Sequence, residues 1–577
     1  MATLSPRSRW LVQPRTILLL IVSLPIVDAT FTIARCCTLA VRQDPSLYSD
    51  EHLPWDVCNY HRDLDFSSNI TYPSVKVTMG WVREYCRGTQ ISTTSQWLLP
   101  LATYISPYMG ILLLCPLGED MTQQRITGHR SFDAMIHTMR KPIQESLSIL
   151  GDPASAIFGA YYEVLSDTLA LRKLSHKKSQ DLTWLQQRAS WATALLGGLK
   201  FSSTIGWRPE IMGLSLKSSS GATHNHQESS GSSSEGSPSN QLAHGAPQKI
   251  DQAINLVITA RPSFSSGILI PVVLMLVVNA ATLYDAYSKV GDKETALALA
   301  YCIWYSWLIV VGMAGNCFAS AINHDLARRA LGEVITLGDE PVSVALRERY
   351  VNNKLWSNWE LQGGQAGTLS FTSSRGEGWT FWLRFCVGQF LGWCVVCFAS
   401  AAATAIAWTT PTTGLGCRSF NFILYAVLAF VAAYLHVLCS WLAARRRQHE
   451  LDPDRDPVIE KRRIRILFTV RVVYWFVAMC NAAVMILGTA FHLIGVFRAC
   501  WCDRLSWADG QVIELNSKTD EAVRNAQLYW LSTSYVTFGC MWLACLVALT
   551  FRSFIGQRME DWLRDDEERW MYLAKVL

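Results

Sequence analysis

The chain has 577 residues, 50% of them hydrophobic and only 17% charged, with a formal net charge of +5 and a positive mean hydropathy of +0.16. An ordinary soluble domain carries about 25% charge. The deficit here is concentrated in apolar runs of roughly 20 residues, the length that crosses a hydrocarbon core about 30 Å thick. A soluble globular enzyme, a nucleic-acid-binding module, a largely disordered chain and a β-barrel of alternating strands are excluded on that ground. The fold class expected is all-α, a polytopic helical membrane protein with the lipid bilayer as its first partner.

Taken in chain order, eight spans are predicted: Thr16–Ala34, Leu98–Leu117, Ser265–Ala286, Leu297–Ile322, Phe381–Trp408, Phe420–Ala443, Ile466–Phe491 and Leu528–Phe551. The first lies in a segment, 1–34, that reads in two ways. Arg7, Arg9 and Arg15 ahead of a short apolar run ending in Val27-Asp28-Ala29 suit either a retained anchor or a cleaved signal peptide, which would leave seven spans. Lys and Arg in the short connections set the orientation. With the N-terminus cytoplasmic they number 22 on the inside and 7 on the outside, led by Arg445-Arg446-Arg447 and Lys461-Arg462-Arg463.

The loop 35–97 then falls outside. It carries the one Asn-x-Ser/Thr acceptor, Asn69-Ile70-Thr71, and four cysteines, Cys36, Cys37, Cys58 and Cys86, in a compartment that permits disulfides. After the span 98–117, the region 118–214 is expected to be cytoplasmic and helical. Asp152 and Pro153 form a helix-start signal, followed by Ile157, Tyr161, Leu165 and Leu169 at four-residue spacing. A second helix begins at Asp181 and ends at Gly197-Gly198. Residues 215–264 read as a Ser/Gly-rich tether, with 11 Ser between 215 and 247. The stretch 118–264 could take a cytoplasmic protein partner. His224, His226 and His244 lie in the tether without Cys or acid at ligand spacing, so no metal is expected.

Residues 265–551 form a six-helix membrane domain, and 552–577 an amphipathic helix at the cytoplasmic surface, with Ile555, Met559, Trp562, Trp570 and Leu573 near one face. Within the domain, Gly388-x-x-x-Gly392 signals close helix packing inside the chain. Cys394 and Cys397 lie in the same span, where cysteine is a small packing residue. Arg384 and Arg471 are near the cytoplasmic boundary, where snorkelling accommodates them. Of the polar residues inside the spans, which include Asn316 and, nearer a span end, Asp285, the residues Asn279, His436 and Asn481 form the candidate intramembrane site. No Walker loop, Gly-x-Ser-x-Gly elbow or His-Glu-x-x-His occurs, so no catalytic residue and no cofactor is assigned.

Gly151-Asp152-Pro153, Gly291-Asp292-Lys293-Glu294-Thr295-Ala296 leading into Tyr301-Cys302-Ile303-Trp304, and above all Gly414-Leu415-Gly416-Cys417-Arg418-Ser419 resemble a family of uncharacterised fungal polytopic membrane proteins. The likeness covers about 98–500, and the 414–419 loop is its most specific part. The resemblance implies a membrane-protein class and supplies no substrate. Outside cysteines are Cys36, Cys37, Cys58, Cys86, Cys417, Cys500 and Cys502. Seven is odd, so at least one stays free or pairs between chains, and a disulfide is expected to tie the 409–419 turn to another outside segment.

Three functions compete. The first is a non-catalytic membrane protein, acting as scaffold, sensor or pathway accessory. The second is a carrier or channel for a small molecule such as a fungal secondary metabolite, which predicts a cavity lined by Asn279, His436 and Asn481. The third is a seven-span receptor, suggested by Glu348-Arg349-Tyr350 although that triplet is far from its span end.

Overall fold

The computed structural model describes residues 32–44, 57–58, 71–86, 90–115, 143–176, 270–317, 377–450, 457–505 and 508–576. The chain begins with α1 (Ile33–Gln43), β1 (Lys76–Thr78) and α2 (Met79–Tyr85). Next come α3 (Thr94–Pro100) and α4 (Ser106–Leu114), joined by a π-helical turn, then α5 (Pro153–His176) and α6 (Ile270–Ser288). There follow α7 (Lys293–Tyr305), α8 (Trp307–Gly315), α9 (Glu377–Thr409), α10 (Cys417–Glu450) and α11 (Pro457–Ile494). The last elements are α12 (Cys500–Asp503), β2 (Val512–Glu514), α13 (Asp520–Asn525) and α14 (Leu531–Val576).

Among the described residues, five helical stretches are long and apolar enough to cross a membrane: Lys293–Gly315, Leu383–Thr409, Cys417–Ala443, Val458–Ile494 and Asp520–Phe554. Each overlaps one of the eight expected spans, although Lys293–Gly315 ends seven residues before the expected Ile322 and Leu383–Thr409 starts two residues after the expected Phe381. The expected span Leu98–Leu117 appears as α3 and α4, and Ser265–Ala286 as α6, whose apolar part Val273–Ser288 is shorter than the other five. Thr16–Ala34 lies outside the described residues up to residue 31; Ile33 and Ala34 belong to α1. The Lys293–Gly315 helix begins four residues ahead of its expected start because Asp292 caps it. The Asp292 carboxylate accepts from the Thr295 N–H at 3.1 Å and the Thr295 hydroxyl at 2.6 Å.

The five stretches differ in what surrounds them. The most apolar window of Lys293–Gly315 is 94% buried by the rest of the protein, against 28–44% for the others. It is the axis of the bundle, and the other four keep an exposed apolar face. Trp304, Tyr301, Tyr305 and Trp307 fill the centre. Tyr301 stacks on His492, with ring centroids 4.1 Å apart.

One end of the bundle is covered by a small lobe, which is the departure from an all-helical fold. β1 pairs with β2 in antiparallel register, Lys76 with Glu514, Val77 with Ile513 and Thr78 with Val512. Three-residue strands are too short to leave a period-two signal. Two disulfides, Cys36–Cys86 and Cys37–Cys58, close the lobe, whose core also holds Val75, Val82, Ile513 and Leu515. Segments more than 400 residues apart therefore form one unit. At this end lie the starts of α7, α10 and α13 and the ends of α9 and α11. At the other, Arg552 donates to the Asn316 carbonyl at 2.6 Å.

The expected connection between the spans 420–443 and 466–491 is largely helical instead. α10 runs on to Glu450 and α11 restarts at Pro457, so Arg445-Arg446-Arg447 and Lys461-Arg462-Arg463 stand on helical extensions. α14 continues from the last span to Val576, taking in the expected amphipathic helix, whose side chains from 555 onward lie outside the described residues. The tether 215–264, the helix expected at Asp181, Asn69 and Glu348-Arg349-Tyr350 also lie outside them.

Candidate functional site

The first polar centre is inside the bundle, and a helix break builds it. Helical residues 143–151 and α5 meet at Asp152, where Pro153 lacks an N–H and cannot continue the hydrogen-bond ladder. Side chains from the spans take the carbonyls this leaves over. Tyr425 O–H donates to the Leu150 carbonyl at 3.0 Å and Asn481 Nδ2 to the Gly151 carbonyl at 3.0 Å. The Asp152 carboxylate accepts from the Ser155 N–H at 3.2 Å and from Tyr474 O–H at 2.9 Å. His436 stands beside Tyr474, ring centroids 5.9 Å apart. Such satisfaction is obligatory where water is absent.

From this junction α5 runs antiparallel to α9. A Cβ at Gly392 would overlap the Ala154 carbonyl, and one at Gly388 would meet the Phe158 ring at 2.9 Å. One turn on, the Arg384 guanidinium lies 5.5 Å over the Tyr162 ring. The Gly388-x-x-x-Gly392 signal is thus used within the chain. Arg384 is buried against Tyr162, where snorkelling was expected. The first turns of α5, read from sequence as part of a region beneath the membrane, are enclosed by α8, α9, α10 and α14.

The structure brings Asn481 and His436 to this centre but not Asn279. Asn279 accepts from Tyr108 O–H at 3.3 Å and lies beside Cys302, in a separate set of contacts. All three are buried. Asp152 is the residue that sequence reasoning placed elsewhere. Cys394 and Cys397 are free thiols on an exposed face of α9.

The second centre lies where the lobe meets the bundle, and the 414–419 loop forms its wall. Gly414 has φ +135°, a conformation that favours glycine, and a Cβ on Gly416 would press 2.7 Å from the Cys502 carbonyl oxygen and 2.8 Å from that of Asp503. Cys417 bonds to Cys502 with Cα atoms 4.9 Å apart. This joins the 409–419 turn to another segment of the same end, as expected. Ser419 Oγ accepts from the Gly416 N–H at 2.9 Å, and the Leu505 N–H donates to the Leu415 carbonyl at 2.8 Å. Every residue of the loop's backbone turn is accounted for by these contacts except Arg418.

Arg418 lines a small cleft of about 40 Å³ together with Lys293, Glu294, Thr410, Thr412 and Asp503. Several of these charges are used internally. Arg498, buried at the cleft edge, pairs with Glu294 at 2.9 Å and donates to Ser92 and Gln96 at 3.0 and 2.8 Å. Lys293 Nζ donates to the Glu514 carbonyl at 2.7 Å. Arg418 Nε is buried without a hydrogen-bond partner among the described residues. Burial raises the Asp503 carboxyl above the usual carboxylate range, opposed by Lys293 and Arg418. Asp292 is raised too, by burial, against the hydrogen bonds from Thr295.

Of the seven candidate disulfide cysteines, six pair and Cys500 stays a buried thiol, pushed up to about 12 by burial. Among the described residues no group of three His, Cys, Asp or Glu could hold a metal ion.

No family model, no curated protein and no solved structure matches this chain. Fold and site define its class alone: a mostly helical chain with, among the described residues, five helices able to cross a membrane, capped at one end by a disulfide-closed lobe.

Proposed function

We propose that the chain is a multi-pass membrane protein that acts without catalysis, as a sensor or pathway accessory. Its lobe faces the outside or the lumen and its C-terminus the cytoplasm. In this reading seven helices cross the bilayer, the five named above with α3–α4 and α6, and the break before α5 enters the bundle without crossing. The segment 1–34 adds an eighth span if it is retained. The carrying observation is that the polar residues a transport path would need are buried against the protein itself, each in contact with a neighbouring element, although Asn279 Nδ2 and Asn481 Oδ1 make no hydrogen bond among the described residues. Asn481 holds the Gly151 carbonyl, Asn279 meets Tyr108, and His436 is buried beside Tyr474. Partners on the cytoplasmic side fall to 118–264, and the described lobe is left to meet the outside.

The test is the metabolite profile of cells lacking the chain, inside and outside the cell. Export is expected to continue unchanged. Retention of a compound inside with its synthesis intact would overturn the reading in favour of a carrier. That second reading has one specific support, Asp152 at a helix break among the spans, a place where acids serve ion or proton coupling. Its mark would be Asp152→Asn abolishing export while the protein still reaches its membrane.

A further inference from the structure

We propose that the cleft between the lobe and the bundle binds a small zwitterion of the amino-acid class, its carboxylate on Arg418 and its ammonium on Asp503. The proposal adds a ligand to the sensor reading and rests on it only for the side of the membrane from which that ligand comes.

Arg418 and Asp503 face one cleft, each half-buried, and neither makes a hydrogen bond or an ion pair with the described residues. They are close enough to affect each other's ionisation. A guanidinium has a long stem and gains a great deal from a bidentate carboxylate. Two opposite charges that line one cleft without pairing to each other leave room for a ligand that satisfies each separately.

Their separation is fixed by covalent structure. Cys417 precedes Arg418, Cys502 precedes Asp503, and these two cysteines are bonded to one another. Gly416, packed on the Cys502 and Asp503 carbonyls, locks the same spacing from the other side. Holding both groups in place before a ligand arrives removes part of the ordering cost of binding.

Charge and size narrow the ligand. The neighbouring charges, Lys293 with Glu294 and Arg498, balance apart from one extra cation, which Glu514 close to Lys293 offsets. A simple anion would have to sit beside Asp503 and Glu294, and a simple cation beside Arg418 and Lys293. A zwitterion meets neither penalty. At about 40 Å³ the cleft has space for roughly three waters, which suits glycine, alanine or serine and rejects large side chains. Thr410 and Thr412 also line it, the Thr410 hydroxyl donating to the Ile406 carbonyl at 2.7 Å and the Thr412 hydroxyl accepting from the Glu514 N–H at 2.9 Å.

The test uses the full chain purified in lipid nanodiscs and radiolabelled alanine. Saturable binding is expected, with glycine and serine competing, and with acetate and methylammonium each at least tenfold weaker as competitors. Arg418→Gln and Asp503→Asn should each weaken binding at least tenfold while the ligand-free melting point shows a folded protein. If Arg418→Gln fails to fold, Asp503→Asn and the competitor series carry the test. Absence of saturable binding by the wild-type chain would overturn the proposal. So would acetate competing as well as alanine, which would mean an anion site, or both variants binding like wild type. Binding with unaltered export in deletion cells keeps both this proposal and the sensor reading; binding with lost export keeps the site and removes the sensor.

Discussion

Gly392 and Gly151 sit where two backbones touch, and Gly539 does not, which makes the three a controlled comparison. A Cβ at Gly392 would overlap the Ala154 carbonyl and one at Gly151 the Ala478 backbone, whereas at Gly539 it would meet nothing within 4 Å. Overpacking of a close contact costs about 1–3 kcal/mol, while alanine in an open helical position is better than glycine by about 0.5–1 kcal/mol. Gly392→Ala and Gly151→Ala should therefore lower the thermal midpoint of the purified protein, and Gly539→Ala leave it unchanged or raise it. A second comparison concerns acids. The folded state holds the Asp503 proton more tightly than the unfolded chain, so stability falls as pH rises from the ordinary carboxylate range through the raised value. Asp503→Asn should flatten that slope and melt higher than wild type at neutral pH. Asp292 shares the direction but also caps α7. Asp292→Asn should keep the cap, and Asp292→Ala should lose about 1 kcal/mol. Melting curves from pH 4 to 8 read out both.

Helix by helix, the sequence foretold position better than surroundings. The five long apolar stretches were readable because length and hydropathy alone determine whether a segment can cross lipid. Which of them would be the enclosed axis was not, since a helix apolar all round looks the same whether protein or lipid surrounds it. The misread element is α5. Its spacing of Ile157, Tyr161, Leu165 and Leu169 suggested one apolar face, yet residues 148–162 are buried on every side. The usable signal was the run of small residues, Ala154, Ser155, Ala156, Gly159 and Ala160, which allows the close approach to Gly388 and Gly392. In the second centre the 414–419 loop and its disulfide were foreseen, but Asp503 and Glu294 come to it from distant segments and carry no motif. Arg498 is the tie among these segments, joining α7 through Glu294 and the start of α3 through Ser92 and Gln96. Removing a buried partner is costly, and the exposed side of Glu294 screens part of the pair. Arg498→Ala should cost about 2 kcal/mol on these grounds, with a coupling to Glu294→Gln of about 1 kcal/mol, measured by a double-mutant cycle on thermal unfolding.

For the molecule as a whole the decisive quantity is which way up it sits, and the orientation proposed above rests on two unrelated properties. All three disulfides gather at the lobe end, and such bonds persist in oxidising compartments. The arginine-rich extensions of α10 and α11 leave the bundle at the opposite end, and retention of Lys and Arg in the cytoplasm follows from the charge rule for membrane insertion. An epitope tag placed after residue 230 or after residue 450 should therefore be invisible to antibody on intact cells and visible after permeabilisation. Asn69→Gln should remove one glycan from the chain, read as a mobility shift that glycosidase treatment of wild type reproduces. Alkaline carbonate should leave the protein in the pellet. Antibody reaching either tag on intact cells would invert the molecule and put the disulfides in a reducing compartment. The lobe would then lose the bond that sets Arg418 against Asp503, and a thiol-blocking mass shift at Cys417 and Cys502 would report it directly.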